Sequence, residues 1–198
     1  MKRLAAPATV TLIASNVLIF ILMEVTTGST MRTDVLLSWG AASTELIQQG
    51  QYWRLVSAMF LHSGMSHLAN NMLLLFVLGT NLEAVMGLWR FMTLYLTGGI
   101  VGNIAAHLWY VQHGESVVFI GASGAVFATM GAVLLLVIRC HGRMRELSIR
   151  QMLVMLAFSL YFGFASAGVS NAAHIGGLVV GFILAIPFSI GRLDELRG

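Results

Sequence analysis

The sequence predicts an all-α integral membrane protein, a bundle of six transmembrane helices with a helical loop lying in the membrane interface between the first and second spans. Three observations predict it. The 198 residues are 58% hydrophobic and only 10% charged, with a mean hydropathy of +0.85, against the roughly 45–50% apolar content of soluble domains. Six apolar stretches each approach the length of a membrane-crossing helix. The basic residues fall almost entirely on one side of the resulting arrangement.

Composition identifies the solvent. Eleven basic and eight acidic residues are too few to cover the surface of a soluble domain of this length, which leaves lipid against most of the chain. One membrane domain over residues 1–198 is expected. A net charge of +3, with no basic run interleaved with aromatics, argues against nucleic acid as a partner. Cys140 is the single cysteine, so neither an internal disulfide nor a thiolate metal site is expected. The twelve methionines are scattered through apolar segments without ligand spacing to Cys or His and read as packing filler. No metal and no cofactor are expected.

The spans are expected at about 8–26, 58–81, 89–111, 119–138, 150–166 and 171–190. Each is near the roughly 20 residues that carry a helix across a hydrocarbon core of about 30 Å. The first opens after Lys2 and Arg3, as a secretory signal does. Its apolar part is too long for a signal core and has no small-x-small cleavage site, so it is read as an uncleaved span. An even count places Lys2, Arg3, Arg90, Arg139, Arg143, Arg145, Arg150, Arg192 and Arg197 on one side, nine of the eleven basic residues, and leaves Arg32 and Arg54 on the other. The positive-inside rule then puts both termini in the cytoplasm. Between the first two spans, residues 27–57 carry Trp39, Tyr52, Trp53 and Arg54, a mixture that suits short helices at headgroup level.

Polar side chains inside spans are costly and mark candidate sites. Ser123 lies in Gly121-Ala122-Ser123-Gly124 at the outer end of the fourth segment. Flanking glycines leave its hydroxyl uncrowded and let a substrate backbone approach. The same residues, with Gly124, Ala128 and Ala132 at four-residue spacing, equally suit a helix-packing face. His174 lies in Ala173-His174-Ile175-Gly176-Gly177, beside a smooth face of Ala173, Gly177 and Gly181. Alone it reads equally well as a base or as an interhelical hydrogen-bonding group. His67 and Asn71 are four apart and share a helix face near the outer end of the second span. They suit stabilisation of an oxyanion, a polar helix interface or a channel lining, and the second pair of this kind, Asn103 and His107, shows that spacing alone does not decide. Glu83 is expected to cap a helix or pair with Arg90, and His62 and His113 to be solvated near outer boundaries.

Taken in order, these motifs resemble the rhomboid intramembrane proteases over almost the whole chain. The resemblance rests on Tyr52-Trp53-Arg54, on Phe60-Leu61-His62 followed by His67-Leu68-Ala69-Asn70-Asn71, and on Gly79 with Glu83. It continues with Gly121-Ala122-Ser123-Gly124 and Ala173-His174-Ile175-Gly176-Gly177 with Gly181. It implies a six-span rhomboid bundle with Ser123 as nucleophile and His174 as general base, a dyad without a carboxylate. It further implies an oxyanion hole of His67, Asn71 and the Ser123 N–H, and a loop stabilised by Trp53 and Arg54. Asn70 is an adjacent alternative to Asn71 without the His-x-x-x-Asn spacing. Many relatives have Tyr four residues after the serine, where this chain has Phe127, so an aromatic ring able to pack against His174 is kept and any hydroxyl role is not.

The implied activity is hydrolysis of transmembrane protein substrates near the outer membrane boundary, at small side chains close to helix-weakening Gly or Pro. Short tails imply the absence of the extra soluble domain of some relatives. The bare six-span form points to a bacterial inner membrane, with lipid as the surrounding partner. Two other classes compete with this one. An inactive relative that binds and escorts membrane proteins is expected to lack the Ser or the His, and both are present. A channel or transporter is expected to carry polar groups through the midplane or in two related halves.

Overall fold

A computed structural model describes residues 6–165 and 169–190. Lys2, Arg3, Arg192, Arg197 and the last residue of the predicted fifth span lie outside these. In chain order α1 (Pro7–Thr27) is followed by three short helices, α2 (Thr33–Ser38), α3 (Thr44–Gln48) and α4 (Arg54–Ser57). Then come α5 (Gly64–Met86), α6 (Leu88–Gln112), α7 (Ser123–Arg139), α8 (Ile149–Ala165) and α9 (Asn171–Phe188). Two antiparallel pairs of two-residue strands complete the fold, β1 (Ala42–Ser43) with β2 (Val118–Phe119) and β3 (Arg143–Met144) with β4 (Leu147–Ser148).

The protein is therefore an all-α membrane bundle, as its composition demands. α1, α5, α6 and α9 are long and apolar enough to cross a membrane, whereas α7 and the apolar part of α8 are shorter. The fourth segment, expected from residue 119, becomes helical only at Ser123, because Val118 and Phe119 are drawn into strand pairing with Ser43 and Ala42. α7 is the central element. Every residue from Gly124 to Val133 is buried, as befits a helix that is apolar on all sides and enclosed by others. It packs on α5, α6, α8 and α9.

α5 begins at Gly64, six residues after the predicted start of the second span. Residues Ala58–Phe60 form a 3-10 turn, and Leu61 and Ser63 are extended. Hydropathy registered the burial of Ala58, Met59 and Leu61, but that burial comes from packing of the loop. A Cβ at Gly99 of α6 would collide with Cε of Met59.

The ends of the helices show how lipid constrains the backbone, because donors that lose water must find partners. Pro7 opens α1 at a position where its missing N–H is no loss. The next donors bind Glu83 of α5: Ala8 N–H at 2.9 Å, Thr9 N–H at 2.8 Å and the Thr9 hydroxyl at 2.8 Å. Glu83 is thus a buried carboxylate at the positive end of a helix, where the macrodipole favours it. Of the two partners expected for it, the helix cap is realised. Arg90 instead donates to the Phe188 carbonyl at the C-terminal end of α9, 3.1 Å away.

The loop between α1 and α5 is fastened at several points. Arg54, buried, donates to Gln51 Oε1 at 2.7 Å and to the carbonyls of Leu37 and Ala41 at 2.9 and 2.8 Å. Its guanidinium lies 4.5 Å from the Trp53 ring centroid, a cation–π contact. Ser57 donates to the Gly40 carbonyl at 2.6 Å, and Asn103 of α6 donates to the Leu55 carbonyl at 2.8 Å.

Glu83→Ala removes three hydrogen bonds from a buried charged group. It is expected to cost about 2–4 kcal/mol of stability, read as a lowered unfolding midpoint in detergent. An unchanged midpoint is incompatible with the capping role.

Candidate active site

Ser123 is the first residue of α7. Seventeen residues span only about 25 Å at 1.5 Å per residue, less than the roughly 30 Å hydrocarbon core. Gly124 lies against Gly102 of α6, which runs ten residues further to Gln112, so the start of α7 is recessed beside α6. Ser123 is half-buried, while the ten residues after it in α7 are buried. The first hydrogen bond of the helix runs from Val126 N–H to the Ala122 carbonyl. The N–H groups of Ser123 and Gly124 therefore have no partner within α7 and sit at its positive end.

The segment leading to Ser123 is fixed residue by residue. Ala42 and Ser43 pair with Phe119 and Val118. Gly121 N–H donates to the Ala58 carbonyl at 2.9 Å, and Ala122 N–H to His62 Nε2 at 3.5 Å. Gly121 has φ +118, and a Cβ there would lie 2.9 Å from Cε1 and Nε2 of His67. Glycine is required on both counts, left-handed backbone and close approach of an imidazole.

α9 is brought against α7 by the absence of side chains. A Cβ at Gly177 would strike the Gly124 carbonyl oxygen, one at Gly181 the Ala128 carbonyl oxygen, and one at Gly131 the Leu178 carbonyl oxygen. Gly102 of α6 completes the contact, its Cβ position lying 2.8 Å from the Ala173 carbonyl oxygen and 3.3 Å from Gly124 Cα. Backbones in contact place residues near the start of α9 beside the start of α7. The Ser170 hydroxyl caps α9 by accepting from Ala173 N–H at 3.3 Å, and His174 follows. Its ring stacks on Phe127 with centroids 4.1 Å apart and planes 7° from parallel. His174 is buried, and neither ring nitrogen has a hydrogen-bond partner among the described residues. Ser123 and His174 line one cavity without being hydrogen-bonded to each other.

That cavity has a volume of about 780 Å³, and His67, Asn70, Asn71 and Phe127 also line it. Its wall on α5 carries exposed Ser66 and Asn70 as well as buried Asn71. Asn71 Nδ2 donates to the His67 carbonyl at 3.0 Å. Both asparagines reach the cavity, so lining alone does not separate them. The other pair, Asn103 and His107, lies outside it, with Asn103 occupied by the Leu55 carbonyl. Trp53 and Arg54 belong to the loop and not to the lining. Among the described residues no three His, Cys, Asp or Glu side chains gather closely enough to hold a metal ion.

Two features escaped sequence reasoning. His62 is not solvated: it is fully buried, its ring meets His67 edge-on at 5.1 Å, and it holds the residue before Ser123. Its place among apolar Phe60 and Leu61 was the available signal. Gly163 of α8 lies so near α9 that a Cβ would collide with Asn171 Oδ1 and stand 3.2 Å from His174 Nδ1. Nothing in the sequence around it marks that contact. His113, by contrast, is exposed, as expected.

The chain is similar to known proteins over most of its length. The Rhomboid domain family matches residues 49–190, more than half of the chain. Rhomboid protease GluP of Bacillus subtilis (strain 168) is 38% identical over 180 residues, covering 91% of this chain and 34% of that protein. The putative rhomboid protease YdcA of the same organism is 32% identical, with 70% and 68% covered. Rhomboid protease AarA of Providencia stuartii is 30% identical, with 93% and 73% covered. The chain thus spans about a third of the length of the first of these relatives and more than two thirds of the other two.

Two outcomes follow from the geometry. Gly177→Val forces α7 and α9 apart and is expected to lower the unfolding midpoint and to abolish reaction of Ser123 with a serine-directed probe. Normal stability with normal labelling contradicts the contact. Burial, reinforced by the charge of nearby His67, pushes His62 down to about 3 from an ordinary value near 6.5. The folded protein then keeps His62 neutral while the unfolded chain takes up a proton, so its contribution is complete above pH 6.5 and is lost as pH falls towards 3. The slope is at most about 1.4 kcal/mol per pH unit. Unfolding midpoints measured from pH 7 to 4 should fall less steeply in His62→Phe than in the parent, and equal slopes contradict the burial.

Proposed function

The chain belongs to the rhomboid family, and from that premise we propose that it is an intramembrane serine endopeptidase acting through a Ser123–His174 dyad. The observation that carries the reading is the shared cavity. A hydroxyl and an imidazole fifty-one residues apart in sequence line one recess where α7 and α9 meet backbone to backbone. Both nitrogens of His174 lack other partners among the described residues, so Ser123 Oγ meets no competing bond when it turns towards the ring.

In the proposed reaction His174 accepts the Ser123 proton as Oγ attacks the scissile carbonyl carbon. The C–N bond then breaks, and the proton passes to the leaving amine. Water, deprotonated by the same imidazole, hydrolyses the resulting ester and restores Ser123. A positioned base contributes roughly 10²–10⁴ in rate and one oxyanion donor roughly 10²–10³. The oxyanion donors are the Ser123 N–H at the positive end of α7, His67 and Asn71, which has a second amide hydrogen beyond the one given to the His67 carbonyl. With no carboxylate in the dyad, Phe127 orients the imidazole by stacking.

The recess answers the scarcity of water in lipid, and substrates whose helices unwind easily answer the concealment of the scissile carbonyl. The proposed substrates are transmembrane proteins cut near the outer boundary, at small side chains close to Gly or Pro. In the proposed orientation both termini face the cytoplasm of a bacterial inner membrane and the cavity faces outward. The alternative, an inactive relative that escorts membrane proteins, requires an incompetent site, and the presence of both Ser123 and His174 in the cavity counts against it.

Ser123→Ala and His174→Ala are each expected to reduce cleavage of a transmembrane substrate in liposomes by at least 10³-fold and to eliminate labelling by a fluorophosphonate. The unfolding midpoint of Ser123→Ala should stay within a degree or two, because one oxygen is lost from a helix already rich in small residues. Cleavage surviving in Ser123→Ala overturns the assignment. Phe127→Leu should lower turnover about tenfold by releasing the imidazole, with rescue in Phe127→Tyr; equal turnover in Phe127→Leu and the parent rules out an orienting stack.

A further inference from the structure

At the end of the bundle opposite the cavity, the chain passes from α7 to α8 through the β3–β4 hairpin. Met144 and Leu147 are buried in the main core. The hairpin is thereby drawn against the helix ends, at the level where a spanning bundle meets headgroups. Arg143, Arg145 and Arg150 are exposed around it, with Glu146 the single acidic residue of the connection.

The other arginines among the described residues are engaged. Arg32 pairs with Asp34, Arg54 is bound within its loop, Arg90 donates to the Phe188 carbonyl, and Arg139 donates to Ser189 Oγ at 2.7 Å. Arg143, Arg145 and Arg150 make no side-chain hydrogen bond or ion pair among the described residues. Arg145 also has φ +52, at the first position of the two-residue hairpin loop. A glycine adopts that conformation without strain and a residue with a Cβ does not, so an arginine there points to a role for its side chain.

We propose that this hairpin binds the phosphate of anionic lipid headgroups in the membrane that the bundle spans, through Arg143, Arg145 and Arg150. A guanidinium presents paired donors that match two phosphate oxygens, and three such groups around one tight turn outnumber Glu146. Lipid is the source the observations favour, because the two helices that the hairpin joins hold it at the membrane surface. Each arginine near an anionic surface strengthens binding roughly fivefold, and three together roughly 100-fold. The inference rests on the membrane fold and is independent of the proposed protease chemistry.

The test uses the full chain in a zwitterionic detergent and follows the unfolding midpoint as phosphatidylglycerol, phosphatidylcholine or inorganic phosphate is added. Phosphatidylglycerol is expected to raise the midpoint and phosphatidylcholine not to. Arg143→Gln/Arg145→Gln/Arg150→Gln should need about 100-fold more phosphatidylglycerol for the same rise, with its midpoint in detergent alone unchanged. Should the triple variant fail to fold, Glu146→Gln supplies the opposite sign and should need about fivefold less lipid. Equal responses to both lipids, a triple variant that responds like the parent, or Glu146→Gln without effect each overturn the proposal. A full response to inorganic phosphate identifies a free-anion site and overturns the lipid assignment.

Discussion

The contact on which the site depends is the one between the backbones of α7 and α9. Gly177 against the Gly124 carbonyl and Gly181 against the Ala128 carbonyl leave no room for a methyl group. Lipid tails are as apolar as leucine, so two helices gain little by hiding apolar side chains from them. Close van der Waals packing of small residues is what drives association. The same closeness sets the distance between the two ends that carry Ser123 and His174. The small-residue face expected of Ala173, Gly177 and Gly181 is the one that meets α7.

Around that contact, polar groups at helix ends are matched to particular partners. Glu83 accepts the first donors of α1, and Arg90 and Arg139 reach the terminal region of α9. Arg54 binds two loop carbonyls. The cavity holds unmatched groups. There His174 presents two buried nitrogens without partners among the described residues, and α7 presents the N–H groups of its first turn. Unpartnered buried polar groups are costly, and the two nitrogens of His174 carry that cost beside Ser123 in the same cavity.

The loop before α5 contributes by constraint. Strand pairing of Ala42 and Ser43 with the segment before Ser123, and the bonds from Gly121 and Ala122 to Ala58 and His62, bind the approach to α7 at successive residues. The short α7 then begins below the boundary that its neighbours reach. Ser123 thereby lines a cavity instead of being enclosed like the residues that follow it in α7.

Much of this was determined by the sequence by itself, because in a bilayer the solvent imposes helices wherever the chain is apolar for about 20 residues. The all-α class, the six apolar helices and the small-residue faces of α7 and α9 follow from that rule together with four-residue spacing. Ordered motifs pointed to Ser123, His174, His67 and Asn71, and all four line one cavity, together with Asn70. Spacing did not separate His67 and Asn71 from Asn103 and His107, because each pair is four apart on a helix, and only the tertiary fold turns one pair into the cavity and ties Asn103 to the loop. Hydropathy took the buried loop around Met59 for the start of a helix, since burial is common to both. The fully buried His62 and the approach of Gly163 to α9 were decided by three-dimensional packing alone: each depends on contacts between residues far apart in the chain, which no local pattern encodes.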